Sequence, residues 1–156
     1  MNKYYIAYGS NLNVGQMKFR CPGAKIVGSG YINGYELLFK GSLTGAYLTI
    51  EKKKGGKVPV GIWKVSDIDE LRLDRYEGYP NFYYKQDVKL KLNDKEINAF
   101  IYIMHEEREI GVPSDYYVDT CKTGYEDFEF DVKYLNKALK KSIDKNGNRY
   151  KKCINL

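Results

Sequence analysis

Residues 4–12 read Tyr-Tyr-Ile-Ala-Tyr-Gly-Ser-Asn-Leu, and this stretch constrains the fold more than any other. Its aromatic and β-branched first half is a strand pattern. Gly9, Ser10 and Asn11 then break it. Glycine can take φ > 0, while serine and asparagine side chains can bond nearby backbone. Met17 and Phe19 follow in a segment that fits a helical turn. A strand that runs through a small polar loop into a helix start leaves backbone N–H groups unpaired. Such a loop either makes a tight connection and nothing more, or holds a carboxylate, a phosphate or a developing oxyanion.

The rest of the chain supplies more strand than helix. Residues 24–41 carry Ile26, Val27, Tyr31, Leu37 and Phe39, interrupted by Gly28, Gly30 and Gly34. This predicts one long bent strand or two strands, with glycine at bulges or corners. Strands are expected at 46–50 and 58–65, with a turn over 52–57 around Gly55 and Gly56. Ser66 and Asp69 have capping-box spacing, so a helix starts there. Its apolar face falls to Ile68, Leu71 and Tyr76, and Gly78 and Pro80 end it. Residues 82–92 and 97–104 read as a hairpin turning at Asn93 and Asp94. A loop over 105–114 precedes a helix from Asp115 towards Gly124. Asp131 caps a last helix with Val132, Leu135, Leu139 and Ile143 on one face, ending at Asn146, Gly147 and Asn148. The expected class is α+β: a small mixed β-barrel-like sheet with flanking helices. The 156 residues read as a single domain, with a basic helix and tail over 131–156.

Charge and cysteine usage narrow the function. The net charge is +6, and residues 131–156 hold 8 Lys/Arg against 2 Asp/Glu. The excess therefore lies at the end, while residues 1–130 balance, which argues against nucleic-acid binding by the core. Cys21, Cys121 and Cys153 are widely spaced and form no metal pair or disulfide framework, which fits a reducing cytoplasm. No apolar run approaches a membrane span of about 20 residues, and no signal peptide is evident. His105 is the only histidine, so a zinc motif or a histidine-based triad is weakly supported. No cofactor motif is present.

Glu77 stands out on physical grounds. It falls in the last turn of the predicted helix, where the dipole disfavours a carboxylate. Asp74 lies on the same face, and Tyr76 and Tyr79 can exclude water. Each effect raises a carboxyl pKa and suits a group that takes and returns a proton near neutral pH. The alternative is a solvated glutamate at a frayed helix end.

The Tyr8-Gly9-Ser10-Asn11-Leu12 loop and the Leu73-Asp74-x-x-Glu77-Gly78 helix end together resemble the γ-glutamylcyclotransferase-like family. The strand Val60-Gly61-Ile62-Trp63-Lys64-Val65 and the Pro113-Ser114-x-x-Tyr117 segment with Gly124 are similar to that family's corresponding segments. The resemblance spans about residues 4–130, and the basic end lies outside it. It implies a small mixed barrel and a cofactor-independent cyclisation of a γ-glutamyl amino acid, peptide or amine to 5-oxoproline. By the same resemblance, Glu77 is the general acid/base. Tyr8, Gly9, Ser10, Asn11 and Leu12 bind the γ-glutamyl group, and Tyr117 orients it. Tyr83 or Tyr84 matches the aromatic after the helix, and spacing does not choose between them. The implied partner is a small-molecule γ-glutamyl substrate, with neither nucleic acid nor membrane. An alternative is a non-catalytic γ-glutamyl binder of the same fold. Nothing in the sequence chooses between a monomer and a homodimer.

Overall fold

The computed structural model describes residues 3–41 and 45–154, with side chains through Asn146. The side chains of Arg149, Lys151, Lys152 and Cys153 lie outside what is described.

Among the described residues, six strands form one sheet in the order β4-β5-β1-β3-β2-β6. They are β1 (Lys3–Ala7), β2 (Lys25–Gly41), β3 (Tyr47–Val65), β4 (Tyr83–Leu92), β5 (Lys95–Met104) and β6 (Glu109–Ile110). The helices are α1 (Val14–Arg20), α2 (Asp67–Glu77), α3 (Asp115–Asp127) and α4 (Lys133–Ile154), with a 3-10 turn at Ser10–Leu12. The sheet is mixed. β1 lies antiparallel to β3, with Tyr5 opposite Trp63, and parallel to β5, with Ile6 opposite Ile101. The expected α+β class with flanking helices is the one found.

The sheet curls because β2 bends where its glycines fall. Pairing with β3 slips between Ile26 and Gly28, where Val27 has no partner, and again at Gly34, where φ is +81°. The curl brings the edge strand β4 back against β2. Leu92 Cδ1 would lie 2.5 Å from a Cβ at Gly28, so a side chain there would push the end of Leu92 aside. Gln86 Nε2 also donates to Tyr35 Oη at 3.3 Å, joining the same two strands. Ile6, Phe39, Leu48, Ile62 and Ile101 are fully buried inside the curl. Each contributes about 1.5–3 kcal/mol relative to exposure.

Several local expectations are corrected. The turn over 52–57 does not separate two strands: β3 runs through it. Its register moves from Asn33–Lys57 to Tyr35–Lys52, so residues 53–56 loop out opposite Gly34 alone. The β2 pairing on both sides outweighs the glycine signal. In α2, Ile68 and Leu71 are exposed, and Leu73 and the capping Asp69 are buried instead. The capping box itself is present, and Gly78 ends the helix with φ +64°. The loop over 105–114 contains the short strand β6, which pairs with the end of β2. Helix α3 runs past Gly124 to Asp127.

Helix α4 continues past Asn146 to Ile154. Asn146 does not stop it, because its side chain is occupied with Ile110 O, 3.1 Å away. The buried face of α4 is Leu135, Ala138, Ser142 and Asn146, while Val132 and Ile143 are largely exposed. Asp131 accepts from Lys133 N at 2.9 Å, as a cap should. Among the described residues, no helix is long and apolar enough to cross a membrane.

Candidate active site

Strand β1 delivers the chain into the 3-10 turn at the end of the curl. Leu12 N donates to Gly9 O and Asn13 N to Ser10 O, each at 3.0 Å, which closes the turn. The amides of Ser10 and Asn11 precede these bonds and have no acceptor within the turn. Trp63 Nε1 donates to Asn11 O at 3.1 Å from the neighbouring strand β3. Helix α3 presses on the other side of the turn. A Cβ at Gly124 would lie 2.7 Å from Asn13 N, so the helix approaches through glycine. The turn is thus fixed by a strand, an indole and a helix.

Gly9 has φ −127°, so it does not use the left-handed conformation expected of it. Its bare Cα instead faces Leu48 and Tyr117 Oη, each 3.4 Å from where a Cβ would stand. Ser10 and Asn11 bond distant side chains rather than nearby backbone. Ser10 Oγ and Tyr76 Oη share a hydrogen bond of 3.0 Å. Asn11 Nδ2 donates to Tyr5 Oη at 2.9 Å and to Glu77 Oε1 at 3.4 Å.

A cavity of about 410 Å³ opens over this turn. Tyr8, Gly9, Ser10, Asn11, Glu77 and Tyr117 all border it. Leu12 does not. Its side chain is fully buried in the core and its amide is spent on Gly9 O. Of the two aromatic alternatives, Tyr83 borders the cavity. Tyr84 turns away, with its hydroxyl on Glu106 and its ring against His105.

The cavity's tyrosines are held rigidly. Tyr8 Oη donates to Tyr102 O at 2.6 Å and Tyr83 Oη to Leu48 O at 2.8 Å. Tyr102 Oη donates to Asp74 Oδ1 at 2.6 Å, and Tyr117 Oη accepts from Leu48 N at 3.1 Å. Burial pushes the phenols of Tyr8, Tyr83, Tyr102 and Tyr117 upward, so they stay neutral.

Glu77 ends α2 just before Gly78 and is partly open to solvent through the cavity mouth. Burial among the surrounding protein raises its carboxyl to about 7, and Arg20 opposes the shift. Of the expected causes, exclusion of water is the one that raises it, and Asp74 is not. Asp74 is taken up by Lys85 Nζ, 3.0 Å away, and by Tyr102, and Tyr79 lies under Lys85 outside the cavity. Among the described residues no ion pair reaches Glu77, and no cluster of His, Cys, Asp and Glu could hold a metal ion.

Sequence reasoning missed several neighbours. Arg20 ends α1, stacks on the Tyr76 ring at 3.4 Å and donates to Asn11 Oδ1. Tyr5, Tyr47, Phe82 and Tyr102 complete the aromatic wall. They come from separate strands and loops, and no local pattern joins them.

The family described as Gamma-glutamyl cyclotransferase, AIG2-like matches residues 5–119. A solved structure described as a gamma-glutamyl cyclotransferase matches with a TM-score of 0.78 at 26% identity, covering 88% of this chain and 86% of that one. An uncharacterized protein from Homo sapiens matches with a TM-score of 0.77 at 27% identity, again over 88% and 86%. YkqA from Bacillus subtilis shares the fold, with a TM-score of 0.73 at 18% identity over 92% of this chain and 54% of that one. No curated protein matches the sequence.

Proposed function

As this chain belongs to the gamma-glutamyl cyclotransferase, AIG2-like family, we propose that it cyclises a γ-glutamyl amino acid, peptide or amine to 5-oxoproline, with Glu77 moving the proton. The observation that carries this reading is the shared cavity. A carboxyl raised to about 7 lies beside the amide-bearing turn of Ser10 and Asn11. At neutral pH such a group exists in both protonation states, which suits one that must accept and then donate.

The reaction makes few demands. The nucleophile is the substrate's own α-amino group, so positioning supplies much of the acceleration. Ionised Glu77 takes one proton from the α-ammonium. The freed amine attacks the γ-carbonyl, and the negative oxygen of the tetrahedral adduct is stabilised by amides of the turn. Protonated Glu77 then gives its proton to the leaving nitrogen as that C–N bond breaks. The ring nitrogen sheds its remaining extra proton to the departing amine, leaving 5-oxoproline with a neutral lactam and a protonated amine product.

The surrounding residues suit this sequence of steps. Asn11 offers Glu77 only a long hydrogen bond, so the carboxyl is oriented without being locked in its charged form. Tyr117 borders the same space beside Gly9 and would orient the γ-glutamyl group. The neutral tyrosines form a rigid wall that limits water around the reacting atoms.

The test is release of 5-oxoproline from a panel of γ-glutamyl dipeptides and γ-glutamyl amines. Turnover of at least one, with stoichiometric release of the amine, supports the reading. Binding without turnover across the panel would instead leave a non-catalytic γ-glutamyl binder.

A further inference from the structure

A second cavity, of about 590 Å³, shares no wall residue with the first. It lies between the outward loop at residues 53–56 of β3, the facing part of β2, and helix α4. Its size falls within the range of about 300–1,000 Å³ typical of small-molecule sites. Six of its wall residues are lysines: Lys53, Lys54, Lys57, Lys133, Lys137 and Lys141. Among the described residues, Glu36 is the one carboxylate in the wall.

The charges do not cancel. Glu36 is paired twice, with Lys141 at 2.7 Å and Lys53 at 3.4 Å. Lys133 reaches Asp131 at 3.7 Å, outside the cavity. Among the described residues, Lys54, Lys57 and Lys137 have no carboxylate partner. Lys133, Lys137 and Lys141 also recur every four residues along α4, which stacks like charges in one row and costs the helix stability. Lys54 and Lys57 line the same cleft from β3, and an anion entering between the two elements relieves the repulsion.

The cavity is not only cationic. Tyr35, Leu37, Tyr134 and Ala138 give it an apolar floor. Gly55 and Gly56 keep the outer wall low. Gly55 has φ +77° with open space where a Cβ would stand, and a Cβ at Gly56 would strike Tyr35 O. The cations are lysines without exception, compact point charges suited to phosphate oxygens. An aromatic floor beneath a cationic rim accepts a flat ring that carries several negative charges.

We propose that this cleft binds a nucleoside di- or triphosphate, with the base against Tyr35 and Tyr134 and the phosphates among Lys54, Lys57 and Lys137. The site is independent of the γ-glutamyl cavity, and it gives a role to part of the basic surplus that the catalytic reading leaves unused.

The test is calorimetric titration of the full chain with ATP at low ionic strength, beside adenosine, inorganic triphosphate and oligothymidylate. The comparison protein is the double variant Lys54→Glu, Lys137→Glu. Both side chains are exposed, so the fold is expected to survive, and a matching thermal melt verifies it. ATP is expected to bind more tightly than adenosine or inorganic triphosphate, and to lose roughly 10-fold or more in affinity in the variant. No binding of ATP, or equal binding by the variant, overturns the proposal. Inorganic triphosphate binding as tightly as ATP overturns the role of the aromatic floor. Oligothymidylate that displaces ATP with an affinity rising with its length makes the cleft a single-strand surface instead.

Discussion

Asn11 Nδ2 stands 3.4 Å from Glu77 Oε1, although 66 positions separate the two residues. The contact is directed from behind. Arg20 holds Asn11 Oδ1, which turns the amide nitrogen towards Glu77 and towards Tyr5. At that length the hydrogen bond gives the carboxylate little stabilisation, so burial dominates and the carboxyl stays raised to about 7. The pairing is the hinge between fold and chemistry: a strand-end turn and a helix end, distant in the chain, face one cavity.

The first prediction concerns pH. If ionised Glu77 must accept the substrate's proton, kcat/KM rises with pH along a limb whose midpoint lies close to 7. Arg20 lowers the carboxyl's pKa, so Arg20→Gln should move that midpoint upward. Rate profiles of the two proteins between pH 5 and 9 decide it. An unmoved limb would mean that another group sets it.

Stability should show the opposite face of the same burial. A carboxyl raised from 4.5 to about 7 favours the folded state in its protonated form. That contribution is complete below pH 4.5 and is lost as pH rises through 7, by up to about 3 kcal/mol. Glu77→Gln removes the titration and mimics the protonated shape. The variant should therefore melt close to wild type at pH 5 and several degrees higher at pH 8. Thermal unfolding at the two pH values measures this, and equal melting temperatures at pH 8 would contradict it.

A third prediction tests how the turn is supported. In Gly124→Ala the new Cβ would meet Asn13 N at 2.7 Å and Leu12 Cβ at 2.8 Å. The close atoms are backbone and Cβ of the Leu12–Asn13 turn, which leaves little room to yield, so the expected cost is about 1–3 kcal/mol, with a lower kcat/KM as the turn shifts. Gly30→Ala is the control, because no atom lies within 4 Å of its Cβ position. Urea denaturation of both variants distinguishes a local clash from a general sensitivity to alanine.

The sequence was legible where a local rule had no competitor. Gly28 and Gly34 mark the bulges, and Ser66 with Asp69 makes the capping box. Asn93 and Asp94 both take positive φ, as a tight hairpin turn requires. It misled where neighbours decide. Residues 52–57 read as a turn because 53–56 do loop out, and only the pairing of Lys52 and Lys57 with β2 keeps them within one strand. Ile68 and Leu71 read as a buried face, yet α2 has no clear apolar stripe and packs through Leu73. Of the site, the turn and Glu77 could be flagged from composition and helix position. Leu12 was misplaced because apolar residues beside a polar loop go to the core. Tyr5, Tyr47 and Tyr102 converge only when the sheet curls.

The most direct measurement is the turnover number for 5-oxoproline formation by Glu77→Gln, with wild type and variant compared on the best substrate of the panel. Glutamine keeps the shape and the contact with Asn11 while removing the exchangeable proton. A fall in kcat of at least ~100-fold, with KM changed little, is the predicted result. Undiminished turnover in the folded variant would contradict the assignment of Glu77 as the proton carrier.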